Sequence, residues 1–390
     1  MRDETRLIRA GGSPQKSGKQ LAKTVGPPIQ KGSTVLLPDA AALYDDAHQV
    51  TYGRQGLAAH DALREALAEL EGAKGVTLYP SGVSALAGAL LAVLGAGDEI
   101  LVTDAVYKPM RRFCDQMLSR FGVKVSYYDP RITPEALVGE ASDKVRLILM
   151  ESPGSLSFEM QDVAAVARLA KGRKILTAID NTWGAGLIYR PLAHGVDLSI
   201  QALTKYVGGH SDLFMGSAAA SDPKLVRALT DGVIHMGWSV SPEDAYQMLR
   251  GLRTLPVRMA RHHESGLAVA RWLAEQPEVT QVLHPALPGA PDHALWKRDY
   301  SGACGLFAFV LTPGPNTAVD AFLDALALFG LGFSWGGFES LAINCDPQLK
   351  ARKLARDYGG PLIRLHIGLE DAGDLIADLR QALDVYAAKL

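Results

Sequence analysis

The sequence has few cysteines: only Cys114, Cys304 and Cys345 occur in 390 residues. Their odd number and wide spacing give neither a disulfide framework nor a CxxC metal site. Sparse cysteines of this kind are typical of a reducing compartment. We therefore expect a cytoplasmic protein that contains no structural disulfides and no bound metal.

Long apolar runs and an excess of one charge are also missing. The longest apolar stretch, residues 83–97, is interrupted by glycines and is too short to span a bilayer. The amino-terminal residues are polar and lack the apolar segment of a secretory signal. The formal net charge is −2, and acidic and basic residues are interspersed without a basic tract. We expect neither a membrane nor a nucleic acid as a partner.

What the chain has in abundance is apolar sequence, 48% of all residues, arranged as alternating strand-like and helix-like runs. Near-continuous apolar strands that alternate with helices predict an α/β domain with a parallel-rich sheet covered on both faces, a three-layer arrangement. From about Pro242 the pattern changes to a long helix, shorter strand candidates that include GFSWG, and a final amphipathic helix. This pattern predicts a smaller α+β domain.

Residues 1–55 contain many Gly, Pro, Lys and Gln and little apolar sequence. Such a segment can order only against something else, so we predict an arm that contacts a neighbouring subunit. The predicted organisation is therefore an arm at 1–55, a large domain at 56–245 and a small domain at 246–390.

A lysine stands directly after a short apolar strand in LSIQALTKYVGGHSD, residues 198–212. Lys205 in this glycine-rich setting can be held neutral and ready to attack a carbonyl group. The alternative is a solvated lysine on a loop. Thr204 and Ser211 flank Lys205 and could offer hydroxyl groups to a phosphate.

Two further groups follow predicted strands. Asp180 ends ILTAI, where a carboxylate can pair with a protonated pyridine nitrogen, although a helix-capping aspartate is about as probable from local sequence. Ser81-Gly82-Val83 opens a helix, where free N–H groups suit a phosphate, but this signal is weak in any α/β protein. Because carboxyl ends of parallel strands meet at one sheet edge, we expect these groups to converge on Lys205. A lysine, a carboxylate and a phosphate cradle are what pyridoxal 5′-phosphate (PLP) requires.

Other residues suit roles around such a site, and each has a plain alternative. Tyr107 could stack on a flat cofactor ring and relay protons, or could be an amphipathic tyrosine at a helix start. Arg364 shares a strand face with His366 and could grip a carboxylate, or could face solvent. Tyr52 and Arg54 precede the first long helix, where a solvated loop is the simpler interpretation.

Five stretches together resemble the Cys/Met-metabolism PLP enzymes, over nearly the whole chain from about Thr5: TKYVGGHSD, AIDNTWGAG, TYGRQGLAAHDALREALAELEG, SWGGFESL and LIRLHIGLED. The resemblance implies the aspartate-aminotransferase-like fold (fold type I) and a homotetramer built from active-site dimers. It also implies a role for each residue. Lys205 forms the Schiff base, and Asp180 pairs with the pyridine nitrogen. The remaining cofactor and substrate contacts are Tyr107 on the ring, Gly82, Val83 and Thr204 on the phosphate, Tyr52 and Arg54 on the neighbouring subunit's phosphate, and Arg364 and Trp335 with the substrate.

Within that family the chain is most similar to the bacterial enzymes that eliminate across the β-carbon of L-cystathionine, which yields homocysteine, pyruvate and ammonia for methionine biosynthesis. Two alternatives share every cofactor residue: a cysteine-S-conjugate β-lyase of broader substrate range, and a γ-acting lyase or synthase. A non-catalytic regulatory relative is the alternative of another class, but such relatives usually lose the lysine or the arginine. One departure is Val233-Ile234-His235, where the β-lyases carry a tyrosine.

Overall fold

The computed structural model describes residues 2–11, 24–44, 50–354 and 356–390. Part of the predicted arm, residues 12–23 and 45–49, therefore lies outside the described residues. The helical periodicity seen in the sequence does produce helices. In Ala58–Glu71, for example, Leu63, Leu67 and Leu70 form one buried stripe, and Gly72 ends the helix in the left-handed region at φ 65°.

The described residues form helices α1 to α12, together with short 3₁₀ and π turns. In chain order these are Asp3–Arg9, Ala58–Glu71, Gly82–Val93, Lys108–Phe113, Pro134–Gly139, Val163–Gly172, Pro223–Met236, Pro242–Ala274, His293–Asp299, Asn316–Ala325, Asp346–Leu349 and Ala372–Ala387.

Seven strands form the larger sheet, in the order β1-β7-β6-β5-β4-β2-β3. In chain order, β1 to β7 are Gly75–Tyr79, Glu99–Thr103, Lys124–Tyr128, Val145–Glu151, Leu176–Asp180, Leu198–Gln201 and Gly216–Ala220. All neighbours pair in parallel except β7, which runs antiparallel to both β1 and β6. The sequence pattern did not predict this reversal. No helix connects β6 to β7, and two strands joined without a helical crossover run antiparallel.

A second, five-stranded sheet has the order β10-β11-β12-β9-β8. Its strands in chain order are Val279–Leu283, Leu306–Leu311, Gly330–Leu331, Leu341–Asn344 and Leu362–His366. The prediction of a strand at GFSWG, residues 332–336, was wrong. This segment is a loop, because Gly336 adopts φ +85° and packs on the backbone of Lys205, where a Cβ would lie 2.8 Å from its carbonyl carbon. The LAIN strand, β11, was not predicted.

Helix α8 is unbroken through Pro256 and spans 33 residues, as the sequence pattern suggested. It packs on α2, β8 and α12. The predicted domain boundary at 245/246 falls within its first turns. No helix among the described residues is both long and apolar enough to cross a membrane.

Candidate active site

Three parallel strands place their carboxyl ends at one edge of the large sheet, and the predicted site residues follow them. Ser81 comes after β1, Asp180 ends β5, and Lys205 follows β6. All three line a single cavity of about 750 Å³. The predicted convergence of these groups is therefore what the structure shows, and it follows from the shared direction of the three strands.

The amine of Lys205 is partly buried in this cavity. Its Nζ donates to Ser334 Oγ at 2.9 Å and lies 5.4 Å from the centre of the Trp335 ring. Burial, together with the nearby charge of Arg364, lowers the pKa of Lys205 to about 8, although Asp180 partly opposes this. At that pKa about one amine in ten is neutral at pH 7, against about one in three thousand for an ordinary lysine. The site thus keeps a reactive amine available.

The loop that carries Lys205 is fixed from helix α8. Arg258, which is buried, donates to the backbone oxygens of Tyr206 and Val207 and also bonds the carbonyl of Gly251 at 2.8 Å. Gly209 adopts φ +70°, and a Cβ there would strike the Arg258 guanidinium. The close packing of loop and helix explains the glycine after the lysine and holds the amine in one position.

Asp180 has an unusual environment for a carboxylate. Oδ1 accepts hydrogen bonds from the Thr182 backbone N–H at 3.0 Å and hydroxyl at 2.5 Å, and Oδ2 has no donor among the described residues. Burial raises the pKa of Asp180, and the bonds from Thr182 and the charge of Lys205 oppose that rise. A cation in the cavity would therefore stabilise the ionised carboxylate. Thr182 also accepts from Ala202 N at 2.9 Å, which links this carboxylate to the lysine loop.

The start of helix α3 is open to the cavity. Ser81 caps the helix by accepting from Ser84 N, which leaves the N–H groups of Gly82 and Val83 without intrahelical partners. Gly82 packs directly on Ala202, so any side chain there would collide with it. These N–H groups suit an anion, as the sequence predicted.

Thr204 lines the cavity, but its hydroxyl is already engaged. It donates to Met215 O at 3.2 Å and accepts from Met215 N at 3.0 Å. The hydroxyl thus joins the two ends of the loop between β6 and β7. Phosphate oxygens accept hydrogen bonds, so this hydroxyl would contact a phosphate only after its proton turned away from the Met215 carbonyl.

Tyr107 and Glu151 stand together at the side of the cavity. The Tyr107 backbone N–H donates to Glu151 Oε2 at 2.7 Å. Burial and the neighbouring Asp180 raise the pKa of Glu151 well above its ordinary value, and burial with both carboxylates raises the pKa of Tyr107. Tyr107 is 38% exposed and lines the cavity.

Arg364 is buried on β12 rather than solvent-facing. Its Nη2 donates to the carbonyls of Phe333 and Ser334, both at 3.1 Å, and its other nitrogens have no acceptor among the described residues. His366, two residues along the same strand face, bonds Gly336 N through Nε2 at 3.0 Å. These two residues fix the loop that carries Trp335 at the cavity wall.

Three predicted residues lie elsewhere in the described part of the chain. Tyr52 is about half exposed, and Arg54 donates to the Ile234 carbonyl at 3.1 Å; neither lines the cavity. Ser211 donates to the carboxylate of Glu339 and also stays outside the cavity.

Three residues of the site were not predicted from the sequence: Ser334, Thr182 and Glu151. Glu151 had a usable signal, since it ends the apolar run VRLILME as Asp180 ends ILTAI. Ser334 had none, because its loop was predicted to be a strand.

Comparison with known proteins places this geometry in a family. The family model for Cys/Met metabolism PLP-dependent enzymes matches residues 4–384. A putative cystathionine beta-lyase of Rhizobium johnstonii is 46% identical over 93% of this chain and 92% of its own length, and the cystathionine beta-lyase of Escherichia coli is 41% identical over 96% of both. The crystal structure of a cystathionine gamma synthase from Xanthomonas oryzae pv. oryzae, in complex with aminoacrylate and cysteine, superposes with a TM-score of 0.92 at 33% identity over all of both chains. The fold is therefore that of the PLP fold type I enzymes, and the chain belongs to the Cys/Met metabolism PLP-dependent enzymes.

Proposed function

We propose that this chain cleaves the Cβ–S bond of L-cystathionine and yields homocysteine, pyruvate and ammonia, a step towards methionine. The observation that carries the proposal is the partly buried amine of Lys205, which shares one cavity with the Asp180 carboxylate and the Arg364 guanidinium. The relatives in Rhizobium johnstonii and Escherichia coli are both named as cystathionine beta-lyases, which supports the β-elimination.

The residues of the cavity fit PLP. Asp180 Oδ2 is without a donor and would pair with a protonated ring nitrogen, and the N–H groups of Gly82 and Val83 would hold the phosphate. Lys205 would carry the covalent link, and Tyr107 would cover the ring. When bound, PLP supplies an electron sink for the negative charge that develops at the substrate α-carbon.

The chain's own groups then perform the proton transfers. Lys205 Nζ takes the α-proton, because its lowered pKa makes the neutral amine accessible near neutral pH. Lys205 or the Tyr107 hydroxyl returns a proton to the departing thiolate sulfur. Ser334 holds the lysine amine at one side of the cavity through its 2.9 Å hydrogen bond. The Trp335 ring lines the same side of the cavity, with its centre 5.4 Å from Nζ.

Arg364 would bind the substrate α-carboxylate with the nitrogens that the loop carbonyls leave free. The substitution Arg364→Lys should raise KM for L-cystathionine by about tenfold or more, since lysine cannot form the bidentate pair. Steady-state kinetics of pyruvate release measure this. The matched control is Arg173→Lys, whose guanidinium bonds the carbonyls of Val138 and Ala141 away from the cavity. An unchanged KM in Arg364→Lys would contradict the assignment.

A γ-acting enzyme is the second candidate, since the γ synthase structure has the same fold and equivalent cavity geometry would serve both reactions. Product analysis on L-cystathionine separates the two. We expect pyruvate and homocysteine. Detection of 2-oxobutyrate and cysteine as the main products would overturn β-elimination and favour the γ-acting alternative.

The proposal also covers the amino-terminal arm, the oligomeric assembly and the domain boundaries. Tyr52 and Arg54 lie outside their own chain's cavity, which is compatible with a role at a neighbouring subunit's phosphate in a homotetramer of active-site dimers. The domain bounds at 1–55, 56–245 and 246–390 and the cytoplasmic location remain predictions from sequence.

A further inference from the structure

Two carboxyl groups stand side by side on one wall of the cavity. Glu151 ends β4 and Asp180 ends β5, and the two residues are direct partners in the parallel pairing of these strands. Paired residues of neighbouring strands are about 5 Å apart and direct their side chains to the same face of the sheet. Both line the cavity. Two negative charges so close together repel each other, so we expect only one of the two groups to be ionised.

The surrounding hydrogen-bond donors favour Asp180 as the ionised group. Asp180 Oδ1 has two donors from Thr182, and the charge of Lys205 also favours its ionised form. Glu151 has one donor, the Tyr107 backbone N–H, which bonds Oε2 at 2.7 Å. Its Oε1 has no donor among the described residues. An oxygen without a donor is the place where a carboxyl group can hold a proton.

The nearest cation does not change this assignment. Arg352 favours an ionised Glu151, but its guanidinium also serves two other carboxylates: Nη2 bonds Glu159 at 3.3 Å, and Nε lies 3.5 Å from Asp104 Oδ2. Burial and the charge of Asp180 outweigh the effect of Arg352 and raise the pKa of Glu151 well above its ordinary value.

Glu151 also fixes the backbone of Tyr107. Tyr107 precedes the first turn of α4, and its N–H has no acceptor other than Glu151 in the described part of the chain. An ionised Glu151 would add to the burial and the Asp180 charge that raise the pKa of Tyr107, and its hydroxyl would then release a proton less readily. A neutral carboxyl group gives the same anchor without this effect.

We propose that Glu151 serves in the holoenzyme as a neutral carboxylic acid that positions Tyr107, while Asp180 alone carries the negative charge of this cavity wall. This inference rests on the proposed function for the role that it gives Tyr107. Glu151 is then a positioning residue that must supply an oxygen acceptor and no charge. Glutamine has the same length and an amide oxygen, so it should replace Glu151 where alanine cannot.

Kinetics of pyruvate release from L-cystathionine test the positioning role. Glu151→Ala should lower kcat by about tenfold or more with a smaller change in KM, because Tyr107 loses its anchor. Glu151→Gln should recover kcat to within about threefold of the wild type. A Gln variant as slow as the Ala variant would contradict the inference, and so would an Ala variant as fast as the wild type.

Thermal unfolding of the holoenzyme tests the protonation state without any substrate. Because the pKa of Glu151 is raised in the folded chain, the unfolded chain releases a proton that the folded chain keeps. The wild type therefore loses stability as the pH rises from the ordinary pKa of glutamate towards the raised one. Glutamine has no such proton. The Tm of Glu151→Gln relative to the wild type should increase by several degrees from about pH 5.5 to about pH 8.5.

Glu99→Gln is the matched control. Glu99 is buried at the start of β2, outside the cavity, and accepts hydrogen bonds from Lys124, Ser126 and Ser142. Despite its burial, these bonds lower the pKa of Glu99. Its stabilising contribution is therefore complete above the ordinary pKa of glutamate. The control should lower Tm by a constant amount over the same pH range and leave the kinetics unchanged.

The two measurements separate this inference from the proposed function. A Tm difference for Glu151→Gln that stays constant with pH would show an ionised Glu151 and overturn the inference, while the lyase function would stand. Absence of pyruvate from L-cystathionine in the wild type would overturn the proposed function and the kinetic role of Glu151 with it. The unfolding measurement would still decide whether Glu151 holds the proton.

Discussion

Replacing Lys205 with alanine should abolish pyruvate formation, with a loss in kcat of at least about 1,000-fold. The Lys205 amine bonds Ser334 Oγ and lies 5.4 Å from the centre of the Trp335 ring, and alanine removes both the proton acceptor and the covalent link. The variant should also lose the absorbance of the cofactor imine near the visible edge. Kinetics and an absorption spectrum of the PLP-loaded protein measure the two effects.

Borohydride reduction tests directly which lysine is linked to the cofactor. Reduction of the wild-type holoenzyme should fix the cofactor to the peptide that contains Lys205, and mass spectrometry should find no such adduct in Lys205→Ala. The control is Lys144→Ala, because Lys144 is exposed and its hydrogen bonds with the described residues use only its backbone, which bonds Glu99 N and Ser142 Oγ. A Lys205→Ala protein that kept both the absorbance and the activity would refute the assigned role.

Asp180→Asn should lower kcat by at least about 100-fold while the protein stays folded. Asparagine preserves the shape and the bond from Thr182 N, but it carries no charge to hold a proton on the cofactor ring. The buried carboxylate also raises the pKa of Lys205, so its removal should lower that pKa further. Steady-state kinetics at saturating PLP, together with a thermal melt, separate lost chemistry from lost stability.

A second aspartate, Asp197, offers a close control because it precedes β6 and bonds the start of the strand that Asp180 ends. Asp197 Oδ2 accepts from the backbone N–H and the hydroxyl of Thr177, at 2.8 and 2.9 Å, near the opposite end of β5 from the cavity. Asp197→Asn thus changes the same kind of Asp–Thr contact and should lower stability without lowering kcat of the folded enzyme. If Asp180→Asn kept kcat within about threefold of wild type, the carboxylate would have no role in the chemistry.

The residues proposed to bind the cofactor could be predicted from the sequence because their positions depend on the strands that they end or follow. Apolar runs predict β1, β5 and β6 clearly. The position of the residue that follows each strand then depends only on the direction of that strand. Asp180 and Lys205 were therefore found from local sequence together with one topological rule. Arg364 was placed on the correct strand face by simple alternation, although its burial depends on the loop packed over it.

The substrate side was less predictable because it depends on loops and on contacts between distant segments. The segment 332–337 has the alternating pattern of a strand, yet Gly336 turns it onto the Lys205 backbone, which no local rule anticipates. Ser334 reaches the lysine only as a consequence of that packing. The reversal of β7 likewise depends on a 14-residue connection, residues 202–215, that contains no helix.

The division between strand-borne and helix-borne groups has an evolutionary consequence. The groups proposed to bind the cofactor stand at strand ends or on the loop that Arg258 fixes, where even a methyl group at Gly209 would collide. Lys108 and Arg112 stand on a six-residue helix at the rim, and Arg112 is exposed to solvent. Substitutions on this helix can therefore accumulate without disturbing the loop that carries Lys205, so descendants of this chain can vary the rim while the packing around the lysine is retained.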